Sequence, residues 1–169
     1  NIIINKEFKE LSNYIRIKFN FCVIKNIFNH LDDINEIINE CDLYYKTNSY
    51  NKYKNLFKNN KQIVNLSDKF HFIKYYGVFL FDKLISFISI HFDGELSGIC
   101  IFLTNPKYNK YSCVPFLICN IIKDIIENHK CVKIINYWIN NCKGQENIFN
   151  WKKKFRFKES CILCEDINI

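Results

Sequence analysis

Five basic residues fall within seven positions near the C-terminal end, Lys152, Lys153, Lys154, Arg156 and Lys158, and they alternate with Trp151, Phe155 and Phe157. Cations among flat rings suit a nucleic acid, because the cations meet phosphates and each ring can stack on a base for roughly 1 to 3 kcal/mol. A solvated helix face is the alternative reading of the same run. On a predicted strand, His91 precedes the turn Asp93-Gly94-Glu95 and is able to accept a proton near neutrality. The same histidine also reads as a packed or exposed strand residue, and Asp93 and Glu95 read as solvated turn residues. The nine cysteines sit mostly in apolar segments, as Cys100, Cys119 and Cys131 do, where the side chain acts as a small hydrophobe. Only Cys161 and Cys164 are close, with no second pair at zinc-site spacing, so they read as strand residues and no metal is expected. This cysteine usage points to a reducing, cytoplasmic setting.

A chain of 169 residues, 49% of them apolar, suits one domain over residues 1–169 that folds without staples. Ala and Met are absent while Asn, Lys, Ile, Phe and Tyr abound. That bias follows A- and T-rich codons, so a single Asn or Lys carries little information. The missing initiator Met implies a segment ahead of Asn1. A formal charge of +7, from 22 Lys against two Arg, favours an acidic partner such as RNA. Apolar runs such as Ile121 to Ile126 fall far below the roughly 18 to 20 residues that cross a bilayer, and no membrane partner is expected.

Periodicity supplies the order of elements. Apolar residues at Ile27, Leu31, Ile34, Ile37, Ile38 and Cys41 predict an amphipathic helix to Tyr45, with Asp32 and Asp33 near its start. A short helix is predicted over Tyr50 to Lys58. Strands follow at His71 to Phe81, Leu84 to Phe92 and Ser97 to Thr104, joined by Asp82-Lys83 and Asp93-Gly94-Glu95 as hairpin turns. After Pro106 a polar loop reaches Ser112 and Pro115, a cap and a first-turn proline for a helix whose apolar residues lie on several sides. Val132 to Ile139 predicts a strand, Gln145 to Lys154 a helix and Phe157 to Leu163 a strand. The result is an α/β chain with an antiparallel meander, then helix-strand-helix-strand, on a mixed central sheet. This order resembles the GNAT fold, which hands activated acyl groups to amines and opens a cleft in its sheet for an extended acyl carrier.

Two segments carry a finer resemblance: Ile135-Asn136-Tyr137-Trp138-Ile139, and Phe149-Asn150-Trp151-Lys152-Lys153-Lys154-Phe155-Arg156-Phe157-Lys158-Glu159. They resemble the C-terminal half of the aminoacyl-tRNA protein transferases, the arginyl and leucyl transferases. Lys83-Leu84-Ile85-Ser86, Leu96-Ser97-Gly98 and Asn105-Pro106 are similar to further segments of that family. Asn105 stands where the family has Asp, Cys113-Val114 where it has Tyr-Gly, and Phe157 where it has Pro. The GNAT acetyltransferases place a glycine-rich loop before the buried helix, whereas Lys110-Tyr111-Ser112-Cys113-Val114 has no glycine.

The resemblance implies transfer of arginine or leucine from aminoacyl-tRNA to the N-terminal amine of a protein or peptide, with acidic N-termini as acceptors and no further cofactor. It implies Lys152 and Asn105 as catalytic positions, Lys152 at the oxyanion or a terminal phosphate. Lys107, Lys110, Lys153, Lys154 and Arg156 would contact tRNA. Tyr137, Trp138, Asn150 and Trp151 would hold the substrate, the rings against the terminal adenine. If the family's Asp removes a proton, Asn105→Asp should raise transfer, provided the position is open to water. Two other readings stand beside this one: a coenzyme A-dependent N-acetyltransferase using acetyl-CoA, and a degenerate domain that binds RNA or a partner.

Overall fold

Residues 19–58, 68–137 and 153 are described by the computed structural model of the chain. It divides into two units, Asn1–Asn136 and Tyr137–Ile169, and the first holds all but the last residue of the elements below. Among the described residues five strands lie in sequence order: β1 (Asn20–Ile24), β2 (His71–Leu80), β3 (Lys83–Asp93), β4 (Leu96–Thr104) and β5 (Ile134–Tyr137). β1 to β4 pair antiparallel, so the predicted meander is present. β1 extends it by a strand absent from the sequence reading; five residues are too few for periodicity to reveal.

Both hairpin turns need left-handed backbone. Gly94 takes it at φ +57, as a residue without Cβ can. At the other turn Phe81 has φ +54 and projects into solvent, so the turn begins one residue earlier than Asp82-Lys83, and β2 ends at Leu80 instead of Phe81.

α1 (Leu31–Tyr45) follows a 3-10 turn over Ile27–His30, which Asn26 caps by accepting from the Phe28 N–H at 3.1 Å. The predicted helix therefore begins with a tighter turn. Ile34, Ile37, Ile38 and Cys41 of α1, with Phe57 of α2 (Asn51–Lys58), pack on Tyr75, Phe79, Leu84, Phe87 and Leu103 of the sheet. Gly77 keeps this layer close, because a Cβ there would lie 2.7 Å from Leu84 Cδ1 and 2.9 Å from Ile24 Cδ1. α3 (Cys113–Asn128) covers the other face, burying Phe116, Leu117, Ile118, Ile121 and Ile125. With both faces covered, β3 is buried continuously from Leu84 to Ile90.

The way into β5 makes the sheet mixed. Lys133 and Ile134 donate their N–H groups to the Glu95 carbonyl at 2.7 and 3.1 Å, so β5 starts beside the start of β4. Having left β4 at its far end and returned through α3, the chain runs parallel to β4 there. Of the elements predicted beyond β5, only Lys153 is described, and it is helical and exposed. Among the described residues no helix is long and apolar enough to cross a membrane.

One polar network crosses the apolar layer between β2 and α3. Asp124 Oδ2 accepts from Lys74 Nζ and from the Tyr76 hydroxyl, each at 2.7 Å, and Asp124 Oδ1 accepts from Asn128 Nδ2 at 2.9 Å. His129 Nε2 lies 3.1 Å from Lys74 Nζ and therefore accepts from it. Phe72 and Phe92 stack on each other at 4.5 Å and flank the His129 ring.

Candidate active site

β4 carries one residue more than its partner. Its register on β3 runs from Ser89 opposite Ile101 to Ile90 opposite Ile99, which leaves Cys100 unpaired. Such a β-bulge bends the strand and re-aims its side chains, and bulges concentrate beside active sites. Ser89 Oγ fixes this one by accepting from the Ile101 N–H at 3.0 Å. The Cys100 thiol, partly covered, donates to the Gly98 carbonyl at 3.5 Å and lies against the His91 backbone. Burial by the surrounding chain raises its pKa, which keeps it a thiol and a poor nucleophile.

His91 is opposite Gly98 on β4 and Ile73 on β2. It alternates with Phe92 and Ile90, which are buried, and so is on the same face as α1 and α2. Partial desolvation lowers its pKa below the ordinary histidine value, so at pH 7 the imidazole is neutral and able to take a proton. Tyr75, across β3 on the same face, cannot do so, because burial pushes its hydroxyl up to about 12. The bulge thus has a neutral base one strand away.

Asn105 does not meet the condition of being open to water. It is 1% exposed and caps a 3-10 turn over Pro106–Tyr111: its Oδ1 accepts from the Lys107 N–H at 3.1 Å and its carbonyl from the Tyr108 N–H at 2.9 Å. Its own N–H donates to the Ile85 carbonyl at 2.9 Å. An Asp can cap in the same way. We therefore expect Asn105→Ala to lower stability by about 1 kcal/mol, and Asn105→Asp, which keeps the cap but buries a carboxylate, to be destabilising as well. The transfer rate should be unchanged in Asn105→Asp; chemical denaturation with a transfer assay on both variants is the check, and a rate gain that grows with pH would restore a catalytic role.

Lys107 Nζ bonds Glu40 Oε1 at 2.7 Å, so part of its charge is already matched on α1. Lys110 is exposed, with its Nζ 5.0 Å from the Tyr111 ring centroid. Tyr137 ends β5, half-buried. Lys152, Lys154, Arg156, Trp138, Asn150 and Trp151 lie outside the described residues. The predicted polar loop is the 3-10 turn followed by Ser112, whose left-handed backbone (φ 53) starts α3 and whose hydroxyl does not cap it. The first-turn amides of Cys113 and Val114 have no partner within the helix, and Pro115 has no N–H to add. Cys113 is only 1% exposed, so the partly exposed Val114 amide and Ser112 hydroxyl are the groups there that can meet a phosphate.

No protein-family model matches the chain, and no curated relative does. Solved structures do match. A possible acetyltransferase from Clostridium difficile superposes with a TM-score of 0.62 at 13% identity, covering 90% of this chain and 98% of that one. A GNAT family acetyltransferase from Staphylococcus aureus gives 0.54 at 15% identity, with 89% and 99% covered. The PaiA N-acetyltransferase from Thermoplasma acidophilum, in complex with coenzyme A, gives 0.51 at 14% identity, with 79% and 88% covered. At such identities the likeness assigns architecture, and the architecture is that of a GNAT-type α/β domain.

Proposed function

We propose that the protein transfers an acyl group from a coenzyme A thioester to an amine, with His91 taking the proton that the amine gives up. The observation that carries this reading is the β4 bulge at Cys100 beside a neutral histidine, in a fold shared with acetyltransferases. The thioester brings the activation, so the chain needs only to orient the amine, accept its proton and hold the donor. Ser112 and the Val114 amide, both partly exposed at the start of α3, would meet a phosphate of that donor.

Transfer from aminoacyl-tRNA is the second reading. It is favoured by the absence of glycine from 110–114 and by Pro115, which together make a thinner phosphate cradle than a glycine-rich loop. Purified protein should be given labelled acetyl-CoA and, separately, labelled aminoacyl-tRNA, each with a panel of small amines and peptides. Acetylation alone supports the proposal, and labelled amino acid on peptide alone replaces it with the second reading. Retained tRNA with neither transfer would indicate a degenerate binding domain.

A further inference from the structure

We propose that the corner between α1 and α2, residues 43–58, is a surface for single-stranded RNA, independent of the acyl-transfer reading. This stretch has four Lys (46, 52, 54 and 58), four Tyr (44, 45, 50 and 53) and no Asp or Glu, and so supplies +4 of the chain's formal +7. Five lysines elsewhere are paired, Lys74 with Asp124, Lys83 with Glu36, Lys107 with Glu40, Lys123 with Glu127 and Lys133 with Glu95, while Lys25, Lys69, Lys110 and Lys130 are scattered singly over the surface without an ion pair among the described residues. Lys46, Lys52 and Lys54 have no acidic partner among the described residues, and Lys54 bonds only the uncharged Asn39, at 2.6 Å. Their charge is free to meet phosphates.

The tyrosines form one chain of rings. Tyr44 meets Tyr45 edge-on at 4.9 Å, Tyr45 stacks on Tyr50 at 5.9 Å with 26° between planes, and Tyr50 meets Tyr53 at 6.4 Å. Tyr44 and Tyr45 are 63% and 53% exposed, far beyond what packing needs. Exposed rings beside uncompensated lysines reproduce the two parts of a sequence-tolerant single-strand surface, stacking platforms and a cationic track. An anionic bilayer would use the same charge. Asn48, Asn51 and Asn55 favour the nucleic acid, since amides bond readily to bases and phosphates and are costly to press into lipid.

The test is fluorescence anisotropy of a labelled oligouridylate of about 12 nucleotides, a few nucleotides beyond a typical small-domain footprint, measured across salt concentration. Lys46→Glu/Lys52→Glu should weaken binding at least about tenfold and flatten the salt slope by about 1.4, two phosphate contacts' worth. Tyr44→Ala/Tyr45→Ala should weaken it about tenfold with the slope unchanged. Lys25→Glu/Lys130→Glu alters net charge equally at exposed sites away from the corner and should have little effect. The basic run from 152 to 158 stays intact in every variant, and circular dichroism confirms folding. Equal losses in the patch and control variants, no binding by the parent, or capture by phosphatidylserine vesicles without oligonucleotide binding would each overturn the proposal.

Discussion

His91→Gln is expected to lower acyl transfer by about 10² to 10⁴-fold, the usual contribution of a placed general base, while leaving folding intact. The side chain is exposed on one face of β3 and is opposite a glycine, so glutamine disturbs no packed neighbour. Wild-type activity should also carry the titration of this residue. Transfer needs the neutral imidazole, so the rate is at its plateau at high pH and falls as pH drops through the His91 pKa. Because desolvation lowers that pKa, the fall should begin below the ordinary histidine value of about 6.5. Rates against pH for both proteins, at saturating donor, test this. A wild-type acid limb that persists in His91→Gln would assign the proton to another group.

The meander, the helix order and the buried character of α3 were readable because each rests on a long periodic signal or a turn residue: eleven residues in β3, sixteen in α3, Gly94 in the turn. β1 was not, since five residues fit either a strand or a helix edge. At Asn105 the sequence carries two signals. An Asn directly before Pro106 is a strong helix-start signal, cap then first-turn proline, and the structure shows that capping role, which the family resemblance does not suggest.

The site was less legible than the fold because register decides it. His91 was a candidate from sequence, yet nothing in spacing showed that Cys100 is left unpaired beside it, since a bulge appears only when two strands are aligned. No spacing in the sequence singles out a partner for His71 or His129. In the structure His71 has Asp68 on Nδ1 at 2.8 Å and Asp93 on Nε2 at 2.9 Å, and His129 meets Lys74 across 55 positions of sequence. A neutral imidazole has one donor and cannot serve two carboxylates at once, so the pairing favours the protonated ring and the His71 pKa is raised, chiefly by Asp68.

Among the described residues outside the apolar core, Asp124→Ala is expected to be the most damaging substitution. Asp124 and Lys74 are 14% and 22% exposed, and removing the carboxylate leaves an ammonium, a buried Tyr76 hydroxyl and Asn128 without their shared acceptor. Breaking one side of a buried pair costs about 3 to 5 kcal/mol. Partial exposure puts the loss near the lower figure, a fall in melting temperature of about 6 to 12 °C for a chain of this length. The network also fixes a pH dependence. Desolvation, then the charge of Lys74, lowers the His129 pKa, so the folded state keeps the ring neutral where the unfolded chain would protonate it. Stability contributed by neutral His129 is therefore full above about 6.5 and declines as pH falls from there toward its lowered folded value. A second decline follows at lower pH. Burial raises the Asp124 pKa, but the bonds from Lys74, Tyr76 and Asn128 outweigh it and leave the net value lowered, so that contribution is present above about 3.9 and lost as pH falls through the folded value. His91 acts in the same direction as His129 and His71 in the opposite one, which makes the difference between wild type and His129→Gln the informative quantity. Denaturant melts of both proteins from pH 7.5 to 4.5 should show that difference changing below pH 6.5; a constant difference would mean that His129 titrates alike in the folded and unfolded chain and that neither burial nor Lys74 acts on its ring.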